Sequence, residues 1–535
     1  RPAAGLAWRA PGAAAPDCKA KVATYLGGDL FKRAEVDLNS YFVLTLNDDP
    51  SISVVDPLFG FGGSKLLALL PLESRGADWA LAEAGSRLFV SMPAAGKVAV
   101  ADTRAWQVVQ SVATGPNPRR VLTAGTRAWV SHDQGLSAID VKTLAVTPVP
   151  IGATTDLAAA PEGDLVFAGG ARRVVLIDAP SARVRAQVPV DGTPTQLAYS
   201  SAAQAVYALD AEQGRLFAID ARSGTLTASV PIPPGATQIR FAPNGRHALI
   251  PNPLEHTVQV LDAASNRIVQ TATFTDGPDR ISFTELLAYV HRRHSEIVQM
   301  IPLEQIGQEG KALGVADFPG GQHALGDAGM TLADSIVRAP EGPAVLVANP
   351  ADQMVYLYKE GMAAPAGGFN TYGRTPRAVQ VVDHGLREVR RGVYATSVPV
   401  ARPGTYDVVM FVNTPRVVAC FSMAVADPAP KPPSVPTVVS AIDPPAHLAA
   451  GTPVRLRFAL ADADGRPLPQ ATDLRARAFR APGVWQQRAD MARLPDGSYA
   501  FEFVPPDPGT YYVWLESASL GLAHHNPQFT IYQAD

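Results

Sequence analysis

The side chains best equipped for chemistry in this chain are a few histidines and one methionine, and they recur at one kind of place. His132 follows Trp129-Val-Ser, His256 follows Pro251-Asn-Pro-Leu-Glu, and His291-Arg-Arg-His294 holds two imidazoles within four residues. Met92 and the segment Asn349 to Asp352 stand at the corresponding place in two further units of the repeat set out below. Imidazole and thioether donors around one cavity would suit copper or a non-covalent haem, with Arg292 or Arg293 offered to propionates or other anions. The competing reading is that these are hairpin tips, where polar residues are expected without any shared task. His524-His525 reads as a solvated loop for the same reason. Cys-x-x-Cys-His, the Walker A loop, His-Glu-x-x-His and Gly-x-Ser-x-Gly are all absent from the sequence, so no catalytic residue is singled out.

The elements that must position these residues come from an internal repeat. A short strand ending in Asp returns as Ile52-Ser-Val-Val-Asp56, Val98-Ala-Val-Ala-Asp102, Leu136-Ser-Ala-Ile-Asp140, Val174-Val-Leu-Ile-Asp178, Leu216-Phe-Ala-Ile-Asp220 and Val258-Gln-Val-Leu-Asp262. Two degenerate copies follow, Val298-Gln-Met-Ile-Pro302 and Met354-Val-Tyr-Leu-Tyr358. The period is about 40 residues, with four short strands per unit, which is what a β-propeller requires: one unit cannot cover its own faces, and radial stacking can. The recurring Asp is expected to cap a turn through its own backbone rather than to do chemistry. The fold expected is therefore all-β, an eight-bladed β-propeller over residues 41 to 372.

The Val-x-Val-Ile-Asp strands with Gly-x-x-Pro turns resemble the YVTN-type and cytochrome cd1-type propellers. The resemblance implies the fold strongly and the activity weakly, because such propellers serve in nitrite reductases, in haem d1 handling, at cell surfaces and as scaffolds. A cytochrome cd1 reductase also needs a c-type haem domain, and the roughly 40 residues before the propeller cannot make one.

Residues 307 to 330 depart most from the repeat, with Phe318-Pro-Gly-Gly-Gln-His323 and Gly326-Asp-Ala-Gly-Met330 where other units have only a turn. Such insertions tend to lie on the functional face, so Phe318, Gln322, His323 and Asp327 are expected in a lid over the histidine-bearing rim. The C-terminal third carries a second repeat: Gly392-Val-Tyr394 with Pro403-Gly-Thr-Tyr406 returns as Gly497-Ser-Tyr499 with Pro508-Gly-Thr-Tyr511. Two Ig-like modules are expected, a short one at 373–427 and a fuller sandwich at 438–535, joined by the Pro-rich linker 428–437. The short one is expected to lean on the propeller or to borrow the N-terminal segment 1–40.

Composition narrows the partners. Lys plus Arg number 46 against 49 Asp plus Glu, a net charge of -3, so no nucleic-acid footprint is present. No run of apolar residues is long enough for a transmembrane helix. The chain begins at Arg1 with an Ala/Pro-rich stretch to Pro16, expected to be the flexible start of an exported chain whose signal peptide has been removed. Only two cysteines occur, Cys18 and Cys420, and a disulfide between them is expected. The function expected is non-catalytic binding or scaffolding with a protein partner, accessory to a periplasmic or surface redox system. The alternatives are a redox enzyme or carrier holding haem d1 or copper on the rim, and a cell-surface structural or adhesive protein.

Overall fold

In the computed structural model the described residues are 3–14, 17–26, 36–38, 40–57, 65–82, 85–292, 295–323, 331–340, 342–362, 364–396, 398, 400, 402–412, 416–426, 437–468, 471, 473–481, 485–517, 520, 522 and 529–535. Contacts divide the chain into two compact units, one built on 1–7, 14–399 and 407–421, the other on 8–13, 400–406 and 422–535.

The first unit is a β-propeller. Among the described residues, alternating apolar strands, too short to bury both faces alone, assemble into eight antiparallel four-stranded sheets. The second sheet is typical, with strands Asp78–Ala82, Arg87–Met92, Lys97–Asp102 and Gln107–Ala113. Each sheet shares a buried apolar cluster with the next. Leu46 and Val54 of the first sheet pack with Leu88 and Val90 of the second, and Tyr41 and Val43 of the first with Leu346 and Val355 of the eighth, which closes the ring. Closure is completed by chain-distant pairing. The first sheet takes its innermost strand from Pro376–Asp383, which runs antiparallel to Tyr41–Asn47 with Thr45 opposite Val379. The propeller thus extends past residue 372, and its first and last segments are held in one sheet.

The recurring Asp caps its turn. Asp140 Oδ1 accepts from the N–H groups of Lys142 (3.0 Å) and Thr143 (2.8 Å), and Asp220 Oδ1 from those of Arg222 (3.0 Å) and Ser223 (2.7 Å). Asp102 does the same for Arg104 and Ala105.

The Ala/Pro-rich start is not the loose end its composition suggests. Ala3–Arg9 is a strand between Val36–Asp37 and Gly404–Val412, with Val417–Val425 at the sheet's other edge. Ala4 and Leu6 are buried, and small residues let the strand sit close to its neighbours. A helix, Cys18–Leu26, follows, and Cys18 is bonded to Cys420. Lys21 Nζ lies 2.6 Å from Asp407 Oδ1 with both side chains buried.

Residues 438–535 form two further four-stranded sheets, one around Val454–Ala461 and Tyr499–Phe503, the other around Arg475–Arg480 and Gly509–Glu516. They share one core in which Phe458, Phe501, Tyr511 and Val513 are fully or almost fully buried. The repeated Pro-Gly-Thr-Tyr motif does the same thing twice: Tyr406 Oη donates to the carbonyl of Arg402 (2.9 Å), and Tyr511 Oη to that of Asp507 (2.7 Å). Residues 428–436 of the linker and His524-His525 lie outside the described residues.

Candidate functional site: the polar ring of the propeller channel

The innermost strands each place a polar residue just before an apolar one: Asp78-Trp79, Arg120-Val121, Asp156-Leu157, Gln196-Leu197, Gln238-Ile239 and Arg280-Ile281. The registers make these positions equivalent, since Trp79, Val121, Leu197 and Ile281 pair with Val90, Val130, Ala208 and Val290 at the same point of the second strands. Three of the six lock neighbouring sheets together. Asp78 Oδ2 accepts from Val121 N–H (2.9 Å), Asp156 Oδ2 from Leu197 N–H (2.7 Å), and Gln238 Oε1 from Ile281 N–H (2.7 Å).

The cations are spent on the same axis. Arg120 Nε donates to Asp156 Oδ1 (2.7 Å), and its Nη1 lies 3.5 Å from Asp78 Oδ2 and donates to the carbonyl of Leu332 (2.9 Å). Arg280 donates to the carbonyl of Thr331, and Arg240 Nη1 to Asp334 Oδ2 (2.9 Å) and to the carbonyl of Ile281 (3.0 Å). The segment 331–334 is therefore held at the axis by residues of opposite sides of the ring. Leu332 N–H also donates to the carbonyl of Ala77 (3.1 Å), and Val379 N–H to that of Asp334 (3.0 Å).

Burial sets the electrostatics. It pushes the Asp78 carboxyl up to about 6, with Arg120 and the Val121 N–H opposing, and raises Asp156 in the same way. Burial works against the charge of Arg120, but Asp156 and Asp78 more than compensate and raise it above its ordinary range. Between the segment 331–334 and the inner strands lies a cavity of about 410 Å³, lined among others by Asp78, Trp79, Arg120, Gln196, Tyr199 and Arg240. Among the described residues its lining contains no His, Cys or Met.

The histidine rim is placed differently. His132 ends its strand buried, its Nδ1 accepting from Gln134 N–H (3.2 Å) and its Nε2 3.3 Å from Ser137 Oγ; burial lowers its pKa. His256 is an exposed turn residue at φ 53°, whose carbonyl accepts from Phe274 N–H (2.8 Å). His291 is buried with Nδ1 2.6 Å from Asp279 Oδ1. Arg292 is buried too, but Asp276 (3.0 Å), Thr275 and Ser295 engage its guanidinium, so it is not offered to a propionate. Met92 is fully buried in the cluster between the first and second sheets, a packing position. Arg293 and His294 lie outside the described residues. The hydrogen bonds His132 and His291 make here stay within their own sheets, and among the described residues no three His, Cys, Asp or Glu side chains gather to hold a metal ion.

The expected lid divides in two. Gly307 N–H donates to Gln270 Oε1 (2.7 Å) and Arg267 Nη2 to Glu309 Oε1 (3.1 Å), so the first half lies along the outermost strand of the sixth sheet, away from the channel. Phe318 belongs to the last strand of the seventh sheet, pairs with Val298 and packs against Tyr289 and Tyr358, because an aromatic ring there closes the apolar gap to the eighth sheet. Among the described residues of the insertion, those just after it reach the rim. Gln322 N–H donates to Asp352 Oδ2 (2.7 Å), His323 Nδ1 contacts Asp352 Oδ1, and Asn349 Nδ2 donates to the carbonyl of His323 (3.0 Å). A Cβ at Gly321 would meet Asn349 Nδ2 at 2.1 Å, so this close approach needs glycine. Asp327 lies outside the described residues. The sequence signal for the channel ring is a charged or amide residue just before an apolar one at the first strand of six successive units, at the period of the repeat.

No family model and no curated protein matches this chain. Among solved structures, dihydro-haem d1 dehydrogenase NirN in complex with DHE is similar over 64% of this chain and 75% of its own, with a TM-score of 0.52 and 13% identity. The likeness is one of fold. AztD from Citrobacter koseri, in its apo form, aligns with 67% of this chain and all of its own at a TM-score of 0.49 and 12% identity. Hydrazine synthase of Kuenenia stuttgartiensis aligns with 54% of this chain and 96% of its own at 0.40 and 15%. The fold shared with NirN is the β-propeller already built from the sheets. No helix among the described residues is long and apolar enough to cross a membrane.

Proposed function

We propose that this protein is an exported, non-catalytic propeller of eight blades that binds or scaffolds another protein, as an accessory to a periplasmic or surface redox system. The observation that carries the reading is the channel itself. Arg120, Asp78 and Asp156 are committed to one another, and the main chain of 331–334 takes up Arg120 and Arg280. Groups so mutually satisfied hold an axis rigid, and leave the rims and the C-terminal sheets to meet partners. The Cys18–Cys420 disulfide suits an oxidising compartment.

A haem on the axis would need an axial donor and free cations for its propionates. Among the described residues the cavity lining has no imidazole, thiolate or thioether, and Arg120 and Arg240 are already paired, so those residues do not fit that group there. A second reading, haem or copper carriage at the rim, rests on His291. A carboxylate on Nδ1 is how proteins orient an imidazole for a metal, and Asp279 stands in that position. His132, His256 and His294 would be its companions. An absorption spectrum of the native protein with metal analysis separates the two. The binding reading expects neither a haem band nor stoichiometric copper, and either signal would transfer the function to the rim.

The paired tyrosine contacts support reading the stretch from after Asp383, rather than from 373, to 427 and residues 438–535 as two Ig-like modules. A Tyr hydroxyl bonded to a carbonyl a few residues upstream is a corner typical of that fold, and both copies make it. Such modules also suit the surface-structural alternative, which predicts regular assembly of the cofactor-free protein.

A further inference from the structure

The charged groups of the channel cavity are spent on one another, but its neutral ones are not. Gln196, Gln380 and Tyr199 line the cavity, and among the described residues their side chains make no hydrogen bond. Gln238, only 8% exposed, lines it too. Its Oε1 accepts from the Ile281 N–H (2.7 Å), while its Nε2 has no partner among the described residues. A buried polar group left unmatched costs about 1–3 kcal/mol. A wall carrying several of them therefore calls for a molecule, water or solute, that supplies their partners.

The lining also sets the charge and kind of that molecule. Its ionisable groups come in opposed pairs, Arg120 with Asp78 (3.5 Å) and Arg240 with Asp334 (2.9 Å). An anion would meet Asp78 and Asp334 and a cation Arg120 and Arg240, so a charged solute gains little either way and a neutral one is favoured. Amides and a phenol offer donors and acceptors side by side, the match for hydroxyl groups, which are both at once. Tyr199 is held in place by stacking on Phe167, with 5.7 Å between ring centroids, and Trp79 and Phe241 also line the space, so ring surface is at hand for the C–H faces of a sugar. A volume of about 410 Å³ lies at the lower end of small-molecule sites, about 300–1,000 Å³. Gln196, Arg240, Phe241 and Gln380 are half-buried, so solvent reaches the wall.

We propose that the channel cavity binds a neutral, hydroxyl-rich small molecule, a mono- or disaccharide, through Gln196, Gln238, Gln380 and Tyr199. The site rests on the rigid channel of the proposed function but on no protein partner, so either can fail without the other. The test is isothermal titration calorimetry on the full, disulfide-intact protein with glucose, galactose, mannose, maltose and sucrose, each at millimolar concentration, beside glucosamine and glucuronate. At least one neutral sugar is expected to saturate one-to-one, and the two charged analogues to bind at least tenfold more weakly. Gln196→Leu combined with Gln380→Leu removes two unspent amides and no internal hydrogen bond, so the unfolding midpoint should hold while affinity falls at least tenfold. Tyr199→Phe, which loses one hydroxyl and keeps the ring, gives a second readout and should weaken binding several-fold. No saturable binding by any of the neutral sugars, a charged analogue as tight as the best of them, or binding that both variants leave intact would overturn the proposal and leave the cavity to water.

Discussion

The second to sixth sheets and the seventh and eighth are built on the same repeat, but they use different residues to hold it. In the regular arc the third strand ends in Asp, and each of Asp102, Asp140, Asp178, Asp220 and Asp262 accepts main-chain N–H bonds from its own turn. In the irregular arc that place falls to Pro302 and to the strand end at Lys359, and longer-range contacts take over. Thr284 Oγ1 (2.5 Å) and Tyr289 Oη (3.3 Å) both donate to Glu360 of the eighth sheet, and Phe318 fills the gap between Tyr289 and Tyr358. Burial, with Glu360 beside it, raises the Tyr289 hydroxyl well above its usual range. His291 with Asp279, and the segment 331–334 that reaches the axis, belong to the same arc. Local turn chemistry is enough where the repeat is kept. Where it lapses, the fold spends individual side chains on contacts between neighbouring sheets.

The comparison is broken most forcefully outside both arcs. Replacing Cys18 and Cys420 by Ser opens a bridge across 402 residues, and the chain-entropy treatment puts its stabilisation at about 5–6 kcal/mol at most, less any native strain. The lower-stability transition in a urea titration should move by a large part of that, and an unchanged midpoint would mean the N-terminal strand and helix are held without it. Next in size is Arg120→Met, which leaves Asp156 and Asp78 buried without their shared cation. A loss of about 3–5 kcal/mol is expected, measured by denaturant unfolding of the propeller. A loss under about 1 kcal/mol would show that the channel ring is hydrated rather than interlocked.

The third expectation concerns pH. The Asp78 carboxyl sits at about 6 in the folded chain against 3.8 ordinarily, so the folded state keeps its proton where the unfolded state has lost it. Stability from this group is therefore complete below about pH 4, declines as pH rises towards 6 and is flat above, a change of roughly 2–3 kcal/mol. Comparing unfolding of the native chain and Asp78→Asn at pH 4 and pH 7 isolates it: the variant should gain on the native protein as pH rises. A constant difference would place Asp78 in water. The smallest effect sharpens the comparison directly. Asp220→Ala removes the cap of a regular turn and should cost about 1 kcal/mol, whereas Lys359→Ala at the corresponding end of the eighth sheet should change the thermal midpoint hardly at all.

The repeat was legible because it is local. Strand alternation, turn residues and the capping Asp act within a few residues of one another, so the sequence alone determined that the chain is a propeller of stacked four-stranded units, and two cysteines in an otherwise thiol-free chain pointed to their pairing. The channel was not legible in the same way. Asp78, Arg120 and Asp156 stand tens of residues apart and look like ordinary polar starts of strands; only closure of the ring brings their charges within 2.7–3.5 Å. The histidines were legible only as positions, for the converse reason. Their common place in the repeat was real, but the repeat does not say where a ring points, and packing turned His132 towards Ser137, His291 towards Asp279 and Met92 into the core. Periodicity along the chain fixes which element a residue joins, whereas burial, pairing and the approach of distant segments decide what its side chain can touch.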